Sequence, residues 1–222
     1  MFQSRKDTLY VILAGIFITN AVVAELIGPK LITIAGNPVS IGILPWPVVF
    51  ITTDLINEYF GRKGVQKLSY ITAGLIAYCF FLLWISLSIP AVKNMGVTDD
   101  QFNAVFGQGM WIIVGSITAF LVSQLIDITI FHFFRKRTGN KMIWLRSTGS
   151  TVISQFFDSF IVLGIAFWMT GKMDTDTYIK SGFTGYTLKL CIAICLTPLI
   201  YLGHYLIEKY IHNDKTEPQN QR

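Results

Sequence analysis

The sequence predicts an all-α membrane protein with six transmembrane helices and both termini in the cytoplasm. Three observations carry this. Hydrophobic residues make up 52% of the 222 and charged residues only 14%, for a mean hydropathy of +0.53, which leaves too little polar surface to cover a soluble core. Runs of about 20 apolar residues recur, the length that crosses a hydrocarbon layer about 30 Å thick. Basic residues fall on alternate connections, as in chains threaded with their positive loops inside.

The first apolar run, Thr8–Gly28, follows Arg5 and Lys6. It has no small-residue cleavage site behind it and reads as a retained helix, not a removed signal peptide. The second, Val39–Phe60, is the least regular. Pro38, Pro45 and Pro47 precede the polar groups of Thr52, Thr53, Asp54, Asn57 and Glu58. Prolines within a span remove backbone hydrogen bonds, and broken helices are tolerated only against protein or a wet cavity. Two readings stay open: a broken or re-entrant helix that starts after Pro47, part-way through the membrane, or a kinked helix with a polar cytoplasmic end.

The remaining runs are Val65–Ile89, Met110–Phe134, Ser147–Thr170 and Gly182–Ile207. Connections are short and residues 1–222 read as a single domain, with a soluble cytoplasmic tail over 208–222. On one side stand Arg5, Lys6, Arg62, Lys63, Lys67, Arg135, Lys136, Arg137, Lys141, Arg146, Lys209, Lys215 and Arg222. The other side has only Lys30, Lys93, Lys172 and Lys180, among Asp99, Asp100, Asp174 and Asp176. By the positive-inside rule the first set is cytoplasmic.

The net charge of +5 therefore serves topology, and no nucleic-acid partner is expected. Cys79, Cys191 and Cys195 lie inside apolar runs and read as packing residues. His132, His204 and His212 are scattered, so neither a metal nor a cofactor is expected.

The polar groups inside the spans carry the functional signal. Two helices repeat one pattern: Ser123-Gln124-x-x-Asp127 and Ser154-Gln155-x-x-Asp158, 31 residues apart. Positions i and i+3 share a helix face, so each copy offers an amide beside a carboxylate. Adjacent spans cross in opposite directions, an arrangement that resembles the inverted repeats of transporters. A carboxylate at mid-membrane costs roughly 2.5 kcal/mol or more, and such residues mark pathways and binding sites. Interhelical hydrogen bonds give back only about 0.6 kcal/mol each. Candidate substrate-binding residues are Asn20, Asp54, Glu58, Gln124, Asp127, Gln155, Asp158 and Lys189; Glu25 lies close to the outer interface and is set aside. A Gln–Asp face suits a flat heterocycle with N–H groups along one edge, since a carboxylate accepts two parallel N–H bonds. Guanine has that edge at N1–H and its exocyclic amine. Trp46, Trp84, Phe156 and Phe157 are rings of the kind that stack on a base, and are equally suited to face lipid.

The stretch FITTDLINEYFGRK (Phe50–Lys63), the SQLID and SQFFD helices, and the last span with Lys189 and Pro198 resemble the queuosine precursor transporter family, also called the vitamin uptake transporter family. The resemblance implies a six-helix bacterial inner-membrane carrier and not an enzyme. Its substrates would be 7-cyano-7-deazaguanine and 7-aminomethyl-7-deazaguanine, salvaged for tRNA modification. It further implies roles for Asp54, the pairs Gln124/Asp127 and Gln155/Asp158, and Lys189. A homodimer is compatible with the sequence, as is either proton-coupled or facilitated transport.

Two other readings compete with this one. A substrate-binding subunit of an energy-coupling-factor system would also have about six helices, with ATP used by a partner, since the chain has no Walker A motif. An intramembrane hydrolase would use Asp127 and Asp158 as an acid dyad, but no G-x-G-D, H-E-x-x-H or G-x-S-x-G context accompanies them.

Overall fold

The computed structural model of the chain describes residues 5–92, 96–107, 110–139 and 142–212. Lys93, Lys141, Lys215 and Arg222 of the charge pattern, and the tail beyond 212, lie outside the described residues.

Helix α1 (Arg5–Ile27) buries one stripe, Leu9, Leu13, Phe17, Ala21 and Ala24, at the three- and four-residue spacing of a single helix face. Val11, Ile12, Ile16 and Val23 point outward, a surface suited to lipid. The chain then forms an antiparallel hairpin, β1 (Leu31–Ile34) and β2 (Asn37–Ser40), in the register Leu31↔Ser40 and Ile34↔Asn37. Its two-residue loop, Ala35–Gly36, has positive φ at both positions, 49° and 78°, which matches the twist of the strands. This hairpin corrects the all-α expectation: β2 occupies the start of the run expected as a second helix. Pro38 has no N–H for a central ladder but is tolerated in a two-stranded edge.

The hairpin is tied to α1 at its base. Ser40 Oγ donates to the Gly28 carbonyl at 2.7 Å and accepts from the Gly42 amide at 3.1 Å. At its tip Asn37 Nδ2 donates to Thr184 Oγ1 at 3.1 Å.

After a 3-10 turn at Ile41–Ile43, helix α2 runs over Trp46–Leu87, with Pro45 as N-cap. Proline fits there because the first amides of a helix have no partner within it. Gly61 interrupts α2 with φ 71° and ψ 178°, dividing it into limbs of residues 46–60 and 62–87. The second limb is peripheral and shows Tyr70, Tyr78, Phe81 and Trp84 outward. The loop expected after residue 60 is only this break, and Tyr10 Oη donates to the Gly64 carbonyl beyond it at 3.1 Å.

A short helix absent from the sequence reading, α3 (Asp99–Phe106), is set by a capping box between Thr98 and Gln101. Helices α4 (Met110–Thr138) and α5 (Ile143–Leu163) form the most extensively packed pair. α5 runs on through a π turn at Gly164–Trp168, and α6 covers Thr175–His212. Among the described residues, five helical stretches are long and apolar enough to cross a membrane, with both limbs of α2 in one of them. Arg135, Lys136 and Arg137 belong to the last turn of α4. Arg146, expected among the loop charges, lies inside α5 and is 1% exposed.

The bundle thus has two ends. Arg5 Nη1 donates to the Tyr210 carbonyl, so α1 starts where α6 finishes. The hairpin lies at the opposite end, where α1 stops and α6 begins.

Candidate functional site

A cavity of about 240 Å³ lies beneath the hairpin. Its floor is made by charged groups from separate helices. Lys189 on α6 forms an ion pair with Asp158 Oδ2 on α5. Ser123 on α4 donates to Asp158 Oδ1 at 3.2 Å. Ser116, also on α4, donates to Glu25 Oε2 on α1. The Lys189 ammonium stands 5.6 Å from the centroid of the Trp46 ring, within cation–π range. Ser40, Gly42 and Ile43 wall it from the hairpin side.

These charges persist in an apolar bundle because each has company. A lone buried ion would lose its proton balance or its fold; a paired and hydrogen-bonded one is held. The lattice is incomplete at two places. Ser159 Oγ and Ser181 Oγ are buried in the cavity wall without a hydrogen-bond partner among the described residues. Buried hydroxyls in finished cores are nearly always bonded, so the cavity offers free polar atoms beside a fixed ion pair.

Deeper in the bundle a second cavity is nearly closed, at about 10 Å³. Gln124, Asp127, Thr151 and Gln155 line it together with Thr53, and Trp46 borders both cavities. Asp127 Oδ1 accepts from Ser154 at 3.2 Å, and Gln124 Nε2 reaches Thr53 Oγ1 at 3.5 Å. Asp54 accepts from Ser147, and its other carboxylate oxygen is buried without a partner among the described residues. Below it Arg146 pairs with Glu58 at 2.8 Å and donates to the Gly139 carbonyl at 2.7 Å, while Arg135 approaches Glu58 at 3.7 Å.

The sequence-predicted residues therefore divide. Asp158 and Lys189 reach the large cavity, and Gln124, Asp127 and Gln155 surround the small one. Asp54 lies beside that group, and Glu58 serves an ion-pair ladder at the basic end. Asn20 lines neither cavity; its amide donates back to the Ile16 carbonyl at 2.9 Å. Sequence reasoning missed Glu25, Ser116, Ser159, Ser181 and the hairpin wall. By its place near the outer interface Glu25 reads as an interfacial residue, but its partner Ser116 is 91 residues away, and nothing local reports such a contact.

Residues 40–203 match the family described as "Putative vitamin uptake transporter". The chain is 27% identical over 188 residues to the "Probable queuosine precursor transporter" of Bacillus subtilis (strain 168), covering 84% of this chain and 79% of that one. It is also 27% identical over 159 residues to the protein of the same name from Haemophilus influenzae, covering 70% of this chain and 63% of that one. No solved structure matches it. With 164 of its residues inside the family match, this multi-pass membrane protein belongs to the vitamin uptake transporter family, a family of transporters and not of enzymes.

Proposed function

We propose that the chain imports 7-deazaguanine bases, the queuosine precursors 7-cyano-7-deazaguanine and 7-aminomethyl-7-deazaguanine, across the bacterial inner membrane. The two limbs of α2 then count as separate crossings, the first limb short at about 22 Å, giving six in all. Both termini are cytoplasmic, and the large cavity opens to the outside beneath the hairpin.

The observation that carries the reading is the Asp158–Lys189 pair set beside Trp46 in the large cavity. A guanine-type edge presents one carbonyl acceptor next to two N–H donors. Asp158 accepts the donors, Lys189 donates to the carbonyl, and Trp46 offers its face to the ring. The cavity falls below the range of roughly 300–1,000 Å³ used by drug-sized ligands, which favours a single base over a nucleotide. The names of the two relatives point to the same substrate class.

The test is rescue of a bacterium that neither makes nor imports queuosine precursors. With 7-cyano-7-deazaguanine supplied outside, the wild-type chain should restore queuosine in tRNA, and a well-expressed Asp158→Asn variant should not. Absence of rescue by a correctly inserted wild-type chain would remove the substrate assignment or require a partner protein.

A further inference from the structure

The S-Q-x-x-D pair belongs to a longer repeat. Ser116 stands seven residues before Ser123, and Ser147 seven before Ser154. Both α4 and α5 therefore carry S-x6-S-Q-x-x-D, with every matched position 31 residues apart. The two helices run in opposite directions, so a two-fold operation between them exchanges one copy for the other.

The contacts follow that exchange. Ser123 of the first copy donates to Asp158 of the second, and Ser154 of the second donates to Asp127 of the first, each at 3.2 Å. The leading serines each hold an acid from a further helix: Ser116 holds Glu25 on α1, and Ser147 holds Asp54 on α2. Glu25 is within electrostatic reach of Asp158 and Lys189, as Asp54 is of Asp127 and Arg146. Each half thus has two serines, two acids held by them and one buried cation. The outer cation, Lys189, pairs with the repeat acid Asp158, whereas the inner one, Arg146, pairs with a third acid, Glu58.

The halves differ in volume. The outer one surrounds about 240 Å³ and the inner one about 10 Å³, room for about one water. Yet the inner one is not a finished core. Gln155 Oε1 lines it, buried at 4% exposure, with no partner among the described residues, and Asp54 Oδ1 is equally unmatched. A purely structural hydrogen-bond lattice would satisfy such atoms, since an orphaned buried acceptor costs about 1–3 kcal/mol.

We propose that the inner cluster of Asp54, Gln124, Asp127 and Gln155 is a second half-site for the same flat base, formed when the outer cavity closes and the inner one opens. The ligand class rests on the function proposed above; the existence of the half-site rests on the repeat. Trp46, which borders both cavities, divides them, and the base passes it when the two halves exchange roles.

The experiment has two readouts. In a chain whose Cys79, Cys191 and Cys195 are replaced, Ser181→Cys and Thr151→Cys are introduced separately and treated with a membrane-impermeant maleimide. Ser181→Cys should react in intact cells. Thr151→Cys should react only in inside-out vesicles, and several-fold faster when 7-cyano-7-deazaguanine is added. Separately, purified Asp158→Asn should bind radiolabelled 7-cyano-7-deazaguanine about tenfold or more weakly, the loss of a charge-assisted bond. Asp127→Asn should lose uptake about tenfold or more at normal membrane abundance. Thr151→Cys unreactive from the inner face, though reactive once the protein is unfolded, would overturn the half-site. So would uptake at the wild-type rate by Asp127→Asn. A wild-type chain that binds no base would sink the substrate reading alone, because the labelling pattern still decides the inner half-site.

Discussion

Arg146 on α5 meets Glu58 on α2 at 2.8 Å, with 1% of the arginine side chain exposed. The residues are 88 positions apart in the chain, and the pair locks the first limb of α2 onto α5 at the basic end. Arg135 adds hydrogen bonds to the Asn57 and Glu58 carbonyls, both at 3.2 Å, satisfying backbone acceptors that the break at Gly61 leaves open. Removing one partner of a buried pair leaves an unmatched charge, at about 3–5 kcal/mol. Glu58→Gln should therefore unfold at clearly lower temperature in detergent. Glu58→Gln combined with Arg146→Met removes both charges and should recover most of that loss. A double variant as unstable as the sum of the singles would show that the pair is not coupled.

The Asp158–Lys189 pair calls for the same comparison with a different outcome. Lys189→Met strands a carboxylate in the bundle and should lower both membrane abundance and uptake. Lys189→Met with Asp158→Asn removes the stranded charge, so abundance should return. Uptake should stay about 10–100-fold down, because the groups that would grip the base are gone. Uptake recovering along with abundance would make the pair structural only. Quantitative blotting beside a tRNA queuosine measurement decides it.

Gly61 has a positive φ of 71° and no atom within 4 Å of an added Cβ. Gly61→Ala therefore meets no clash, only the backbone strain of a region that essentially glycine alone adopts, roughly 1–3 kcal/mol. Gly74, on the second limb, is likewise uncrowded, but its φ is not positive. There Gly→Ala should be neutral or stabilising by about 1 kcal/mol. Opposite shifts in thermal unfolding are expected from two chemically identical changes. A shift of the same sign would mean that the break at Gly61 relaxes freely.

Much of this was legible in the sequence because charges and apolar runs report locally. Asp127, Asp158 and Lys189 stood out since an ionisable group within a span is costly wherever it points. The long helices were legible for the same reason. The hairpin was not: its strands are four residues each, and Pro38 with Gly36 reads as an interrupted helix as readily as a turn. α3 escaped because eight residues, none of them buried, are too few to stand out beside apolar runs of about 20. Arg146 was misplaced because positive charge near a span end normally means loop, and only Glu58, brought in by the fold, shows otherwise. The reach of the repeat back to Ser116 and Ser147 became meaningful only once their acid partners on α1 and α2 were in view.

The hairpin wall can be tested without touching a charged group. A Cβ at Gly42 would lie 2.6 Å from the Ala24 carbonyl oxygen and 3.2 Å from Gly28 Cα. Both neighbours are backbone at the end of α1, so neither yields by a rotamer change. Gly42→Ala must instead push the 3-10 turn and β2 away from α1, which loosens the Ser40 bond to the Gly28 carbonyl. Ser40, Gly42 and Ile43 all line the large cavity, so its wall shifts while the α4–α5 lattice stays in place. Gly15 on α1 has nothing within 4 Å of an added Cβ and serves as the comparison. Gly42→Ala should reduce base uptake by about tenfold, equivalent to about 1.4 kcal/mol of lost binding, with membrane abundance near normal. Gly15→Ala should change neither. If Gly42→Ala imports at the wild-type rate, the close approach of the hairpin to α1 does not shape the site, and the cavity is set by the helices alone.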